Sequence, residues 1–222
     1  MNDREQIQIT PAKGRPMLTW VGKRPLTHVT AFPAQHVESF DPAEDRSRHA
    51  QKDSWQDWPD CYPRGGLLFH GDNKEVLVHM LANGFRGKVN LIYIDPPFDS
   101  GADYVRRVRL RGVTGTAKID GESYSLGEQI QYEDIWTNDN YLQFMYERLM
   151  LLKELLAEDG SIYVHMDSNR GHQIKLVLDE VFGPASFQRE IIWRIGWVSG
   201  YKTAASNWIR NHDTIFFYTK DP

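Results

Sequence analysis

Val89-Asn90-Leu91-Ile92-Tyr93-Ile94-Asp95-Pro96-Pro97-Phe98 is the stretch on which the reading of this chain turns. Val89, Leu91, Ile92, Tyr93 and Ile94 make an apolar run of strand length and β-rich composition, too short for a helix and stopped sharply by Asp95 and two prolines. A strand apolar on both sides belongs inside a parallel sheet, and ligands of such sheets bind just beyond the carboxyl ends of the strands. Asp95 sits at that mouth. Pro97 restricts Pro96 to extended conformations, and neither proline nitrogen donates a hydrogen bond, so the turn is stiff and presents acceptors only. An acidic side chain, a neighbouring carbonyl and the ring of Phe98 suit a flat ligand that donates hydrogen bonds through an amino group.

Upstream, Leu67-Leu68-Phe69-His70 reads as a short strand, and Gly71-Asp72-Asn73 turns the chain into a helix. Asp72 or Asn73 caps it, Val76, Leu77, Met80 and Leu81 form its apolar stripe, and Gly84 stops it. Downstream, Tyr141, Met145, Leu149, Leu152 and Leu155 or Leu156 recur at helical spacing as a core stripe, with Gly160 as the helix end. Residues 161–166 then read as a strand that carries Asp167 at its end. A second helix follows through Ile174, Val177, Leu178, Val181 and Phe182, stopped by Gly183-Pro184. Residues 187–195 and 213–220 read as two strands forming an antiparallel hairpin at the sheet edge. His165 has no partner His or Cys at ligand spacing, and reads as a strand histidine satisfied by hydrogen bonds; no metal site is expected.

The 222 residues accommodate one sizeable α/β domain with an N-terminal appendage. We divide the chain into a proline-rich extension and charged connector, residues 1–64, and a main α/β domain, residues 65–222. Within the first part, 17–21 and 28–32 read as edge strands packing on the main body. Trp55 and Trp58 read as anchors for the connector, with a nucleotide-stacking platform as the alternative. The net charge of −4 argues against an evenly basic surface, although a local basic face suffices for nucleic acid. The single cysteine, Cys61, excludes an internal disulfide, and there is neither an apolar signal core nor a membrane-spanning run. A soluble, cytoplasmic protein is expected. Residues 99–140, broken by Gly101, Gly112, Gly115, Gly121 and Gly127, read as a long mobile loop. Arg106, Arg107, Arg109 and Arg111 make a basic run in it, either a solvated face or a contact to nucleic-acid phosphates.

Asp95-Pro96-Pro97-Phe98 after an apolar strand resembles the catalytic motif of S-adenosylmethionine-dependent DNA amino-methyltransferases. The order strand, Gly-Asp-Asn, helix, strand, Asp-Pro-Pro-aromatic, then helix, Asp-Gly-Ser-Ile-Tyr-Val-His-Met-Asp, helix and Phe-Gly, is similar to the permuted class of that family, above all to modification subunits of type III restriction systems. The resemblance covers residues 66–220. It implies a Rossmann-like α/β sheet with helices on both faces, S-adenosylmethionine as cofactor, double-stranded DNA as partner, and a restriction subunit or a second copy of the chain as a further partner. It implies roles for Asp95, Pro96, Pro97 and Phe98 in catalysis, and places Asp72 near the cofactor's adenine, with helix capping as its alternative role. The segment 212–220 resembles the family's last core motif, whose aromatic packs against the extruded base; Phe217 and Tyr218 are both candidates.

The chemistry implied follows from the amine. An adenine N6 lone pair is delocalised into the ring; if Asp95 and the Pro96 carbonyl accept its two hydrogens, the lone pair becomes available for in-line attack on a sulfonium methyl. Holding the two in line is worth ~7–11 kcal/mol. Asp at the first motif position favours adenine N6 over cytosine N4 within the family. The target base must leave the stack, at a cost of a few kcal/mol that stacking on Phe98, roughly 1–3 kcal/mol, offsets. Cys61 lacks a neighbouring base, which disfavours cysteine catalysis. The family's Phe-x-Gly-x-Gly cofactor strand is absent from the sequence, so the expectation is an incomplete sheet with exposed edges, and a catalytic half inactive by itself. The alternatives are a non-enzymatic split half that pairs with a second chain, or an amino-methyltransferase of RNA or protein.

Overall fold

The computed structural model describes residues 6–12, 17–35, 67–99, 103–107, 128–133, 140–196, 206 and 208–222, with 103–107 and 128–133 as backbone. In chain order these contain β1 (Gln6–Gln8), β2 (His28–Thr30), α1 (Asn73–Ala82), β3 (Val89–Ile94), β4 (Asp103–Arg107), β5 (Glu128–Glu133), α2 (Asn140–Leu155), β6 (Leu156–Met166), α3 (Gly171–Phe182), a 3-10 turn at Pro184–Ser186, β7 (Phe187–Arg194) and β8 (His212–Thr219). The architecture is mixed α/β. Its main sheet has the order β3-β6-β8-β7, with β3 parallel to β6 and the β7–β8 hairpin antiparallel, as the sequence predicts.

Alternation along β6 sorts the molecule into two faces. Ile162, Val164 and Met166 are fully buried and share one face with Ile92 of β3 and with Phe216 and Tyr218 of β8. Helices α2 and α3 pack there: Tyr141 reaches Met166, the α3 residue Gly171 approaches Met166 and Phe216, and Tyr218 bonds Asp179. Helix α1 adds Val78 and Leu81 to the same core through α2. On the opposite face Leu91, Tyr93 and Trp193 are 61%, 53% and 55% exposed. Helices on both faces were expected; among the described residues they cover one face only. Strand β3, expected to be buried on both sides, is an edge strand among those residues and is buried on one side.

Helix α1 starts where the sequence puts it, with the Asp72 side chain accepting from the Lys74 N–H at 2.8 Å and Gly84 following its end at φ 81°. Helix α2 stops at Leu155, short of Gly160. The loop before β3 takes its last carbonyls, Gly87 N–H on Glu154 O and Lys88 N–H on Leu155 O, both at 3.0 Å. The chain passes directly into β6, and the register slips between the Val89–Leu156 and Leu91–Ser161 pairs. Gly160 lies in that irregularity, where a Cβ would stand 2.9 Å from both Val89 O and Leu156 Cγ. Glycine is needed there for close approach, not for ending a helix.

Three further expectations change. Residues 67–70 pair with no described strand, and Leu68 is 98% exposed; a strand needs a backbone neighbour to satisfy its ladder. Residues 17–21 are not a strand either, because helix side chains take their place as partners: Leu18 N–H donates to Glu180 Oε2, and buried Trp20 sits edge-on to Tyr146 at 5.8 Å. Residues 28–30 do form a strand, paired with β1 through Ile7 and Val29. Finally, residues 99–140, read as a loop, contain the antiparallel pair β4 and β5, in which Tyr104 pairs with Tyr132 and Val105 with Ile130. Cys61, Trp55 and Trp58 lie outside the described residues.

Candidate active site

Asp95 follows the last residue of β3, at the end where β3 and β6 run parallel, and its side chain is 58% exposed. The turn behind it is held at two points. Tyr141, fully buried at the start of α2, donates its hydroxyl to Pro97 O at 2.7 Å. At the exit, Arg170 places Nε and Nη2 each 2.5 Å from Asp99 Oδ2. Asp99 has φ 55°, a left-handed conformation uncommon outside glycine, which this double contact helps to hold. Between them, the Phe98 ring lies 5.6 Å from the imidazole of His165 at an interplanar angle of 58°.

His165 is the centre of the local polar network. Its Nδ1 is 2.9 Å from the Tyr93 hydroxyl and 3.7 Å from Asp95 Oδ1, and its Nε2 is 3.6 Å from Asp213 Oδ2. Asp213 is buried on β8 and accepts from Arg210 Nη2 at 2.5 Å, while Arg210 Nη1 donates to Asp167 Oδ2 at 3.1 Å. Asp167, also buried, turns the chain into α3 by accepting from the Asn169 N–H at 2.8 Å. Burial, and then the negative charge of Asp95, raise the phenol of Tyr93 above its ordinary value.

The remaining sequence candidates fall at different distances from this network. Asp72 caps α1 and also accepts from Arg148 Nη2 on both oxygens, at 3.2 and 3.0 Å, while its side chain stays 54% exposed. Burial lowers the Arg148 guanidinium, and the charges of Asp72 and Glu147 oppose that. Phe217 and Tyr218 point to opposite faces of β8. Phe217 stacks on Tyr163 on the open face, at 4.6 Å and 2°. By register it lies beside Tyr163, which pairs with Tyr93, so it is two strands and roughly 10 Å across the sheet from β3. Tyr218 is fully buried against α3 and donates its hydroxyl to Asp179 Oδ1 at 2.7 Å. Arg106 and Arg107 are in β4, opposite Gln129 and Glu128. Arg109 and Arg111 lie outside the described residues. Among the described residues no His, Cys, Asp and Glu group could hold a metal ion, and no helix is long and apolar enough to cross a membrane.

Asp95 and Phe98 follow the end of β3, and the groups that hold their turn come from α2 and the start of α3. Tyr141 read as one more member of a helical stripe, and its hydroxyl was the missed signal, because a buried phenol needs a partner. His165 read as satisfied; its Nδ1 is, but its Nε2 is buried with no hydrogen-bond partner among the described residues.

A carboxylate and an aromatic thus share a braced Pro-Pro turn at the carboxyl end of a parallel strand. Residues 89–222 match the DNA methylase family of N6/N4 methyltransferases, and the chain belongs to that family. It is similar to the Mod subunit of the type III restriction-modification enzyme EcoP15I of Escherichia coli, 31% identical over 209 residues, and to that of EcoPI of Escherichia phage P1, 30% identical over 211. Each alignment takes in 92% of this chain and 30% of the relative, so the chain spans about a third of their length. A type II methyltransferase of Enterobacter cloacae, M.EcaI, is 31% identical over 149 residues, 67% of this chain and 28% of that protein.

Proposed function

We propose that this chain carries the catalytic half of a site-specific DNA methyltransferase that methylates adenine N6 of a flipped-out base, in the manner of a type III modification subunit. The observation that carries the reading is the braced turn: an exposed Asp95 carboxylate on a Pro-Pro segment tied to Tyr141 and Arg170. Asp95 and the Pro96 carbonyl accept the two hydrogens of the amine and hold its lone pair toward the methyl donor. Phe98 stacks on the extruded base, and Phe217 takes a base- or strand-packing role on the open face, a reading supported by the burial of Tyr218. Arg106, Arg107, Arg109 and Arg111 contact the phosphate backbone. We take 65–222 as the catalytic region, with residues 1–64 as an extension whose described part straps onto the helices through Lys23 and Glu180.

S-adenosylmethionine, when bound, supplies an electrophilic methyl on a sulfonium. The residues present fit it in part: the exposed Asp95 carboxylate suits the neighbourhood of a positive sulfur, and Asp72, oriented by Arg148 and half-exposed, retains acceptor capacity for the cofactor's polar groups. A double-stranded DNA partner and a restriction subunit or second copy of the chain belong to the same reading. The outer edge of β3, which pairs with no strand among the described residues, and the exposed Leu91 and Tyr93 favour a second reading, in which the chain acts only in company with further polypeptide.

The test is methyl transfer from labelled S-adenosylmethionine to unmethylated DNA by this chain, by the polypeptide of its complete reading frame, and by Asp95→Ala forms of both. Labelling at adenine that Asp95→Ala abolishes is the expected result. Transfer to cytosine would replace the target base, and transfer only to RNA or protein would sink the DNA reading.

A further inference from the structure

Resting on the reading above, in which Asp95 accepts hydrogens from the target amine, we propose that His165 is the positioning residue that sets the orientation of the Asp95 carboxylate and couples it to Asp213. Three adjacent strands deliver one group each: Asp95 just past β3, His165 on β6 and Asp213 on β8. The imidazole stands between the carboxylates with a different nitrogen toward each, Nδ1 at 3.7 Å from Asp95 Oδ1 and Nε2 at 3.6 Å from Asp213 Oδ2. Both separations exceed a hydrogen bond by only about 0.6 Å.

The surroundings fix the ring while leaving it that small travel. Tyr93 of β3 bonds Nδ1 at 2.9 Å, and Phe98 lies against the ring at 5.6 Å. On the far side Arg210 holds Asp213 by Oδ1, so Oδ2 is the oxygen left for Nε2, and the same guanidinium ties Asp213 to Asp167. Nε2 itself is buried without a hydrogen-bond partner among the described residues, so the ring feels the charge of Asp213 directly. A ring that turns Nδ1–H toward Asp95 Oδ1, with the Tyr93 hydroxyl oxygen accepting beside it, leaves Oδ2 for the substrate amine. The same ring contacts Phe98, so one side chain registers both the acceptor and the stacking surface.

Two measurements test this on the polypeptide used in the transfer assay. In steady-state kinetics His165→Ala lowers kcat by roughly 10–100-fold, the scale of an ångström-level misplacement, with KM for DNA changed less than about 3-fold. His165→Asn, which restores an amide donor near Nδ1, recovers most of the loss, and His165→Ala adds little in an Asp213→Asn background. A wild-type kcat in His165→Ala, or additive losses in the double variant, overturns the proposal. In long-range proton–nitrogen spectra, Asp95→Asn and Asp213→Asn each move the ring-nitrogen resonances of His165 and leave those of exposed His28 and His172 in place. Indifference of His165 to both substitutions overturns the coupling whatever the assay gives. Absence of methyl transfer by the unaltered protein, with the His165 resonances still responding, fells the methyltransferase reading and leaves the coupling standing.

Discussion

The Tyr141 hydroxyl braces the Pro-Pro turn by donating to the carbonyl of Pro97. Tyr141→Phe keeps the ring in the core and removes only that donor, so stability falls by about 1 kcal/mol while methyl transfer falls on the order of tenfold. Thermal unfolding and initial rates on the same preparation check it; equal rates would mean that the prolines alone hold the turn. Glu147 is a residue of the opposite kind, structural and pH-sensitive. Burial pushes its carboxyl up, but the hydrogen bonds of Lys74 and Gln143 and the charges of Lys74 and Arg148 win and hold it below its ordinary 4.5. A carboxyl lowered on folding stabilises above its unfolded value and loses that stabilisation as pH falls through the folded one. Glu147→Gln should therefore narrow the gap between denaturant midpoints at neutral pH and below 4.5.

At the scale of elements, the contact between β3 and β6 decides where Asp95 stands. Gly160 permits it, because a Cβ there would press on Val89 O and Leu156 Cγ, both at 2.9 Å. Gly160→Ala should cost roughly 1–3 kcal/mol in denaturant unfolding, the range for overpacking, and should slow transfer by displacing the start of β3. The β8–α3 contact sets a second expectation. Tyr218 donates to Asp179, which Lys175 also holds at 2.8 Å, and burial followed by that hydrogen bond raises the phenol far above its ordinary 10.0. A raised phenol stabilises fully below its unfolded value, and the stabilisation is lost as pH rises past it. Tyr218→Phe should flatten the onset of alkaline unfolding above about pH 10 while leaving methyl transfer near the parent rate, since the ring faces the helices.

At the scale of the molecule, the described N-terminal residues fasten to the same helices that carry the sheet. Lys23 pairs with Glu180 at 2.6 Å over the Trp20 and Tyr146 rings, and Glu180, 1% exposed, also accepts from Leu18 N–H. Lys23→Ala leaves a buried carboxylate short of its counter-charge and should cost roughly 3 kcal/mol in global unfolding; a change within a few tenths would mean the strap is not part of the cooperative unit. Much of this architecture was legible in one dimension. The strand before Asp95, the cap at Asp72, the stripes of α2 and α3 and the β7–β8 hairpin are written in local period and turn chemistry, which act over a few residues. The motif order from Asp72 to Asp213 pointed to the methyltransferase family, because catalytic residues cluster at strand ends whose sequence is short and contiguous. Tertiary structure alone decided that α2 stops at Leu155, that residues 17–21 bond to helix side chains instead of a strand, that Phe217 and Tyr218 part to opposite faces, and that His165 stands between Asp95 and Asp213. Each of these depends on a partner distant in the chain, and a backbone or side-chain group takes the partner that folding brings to it.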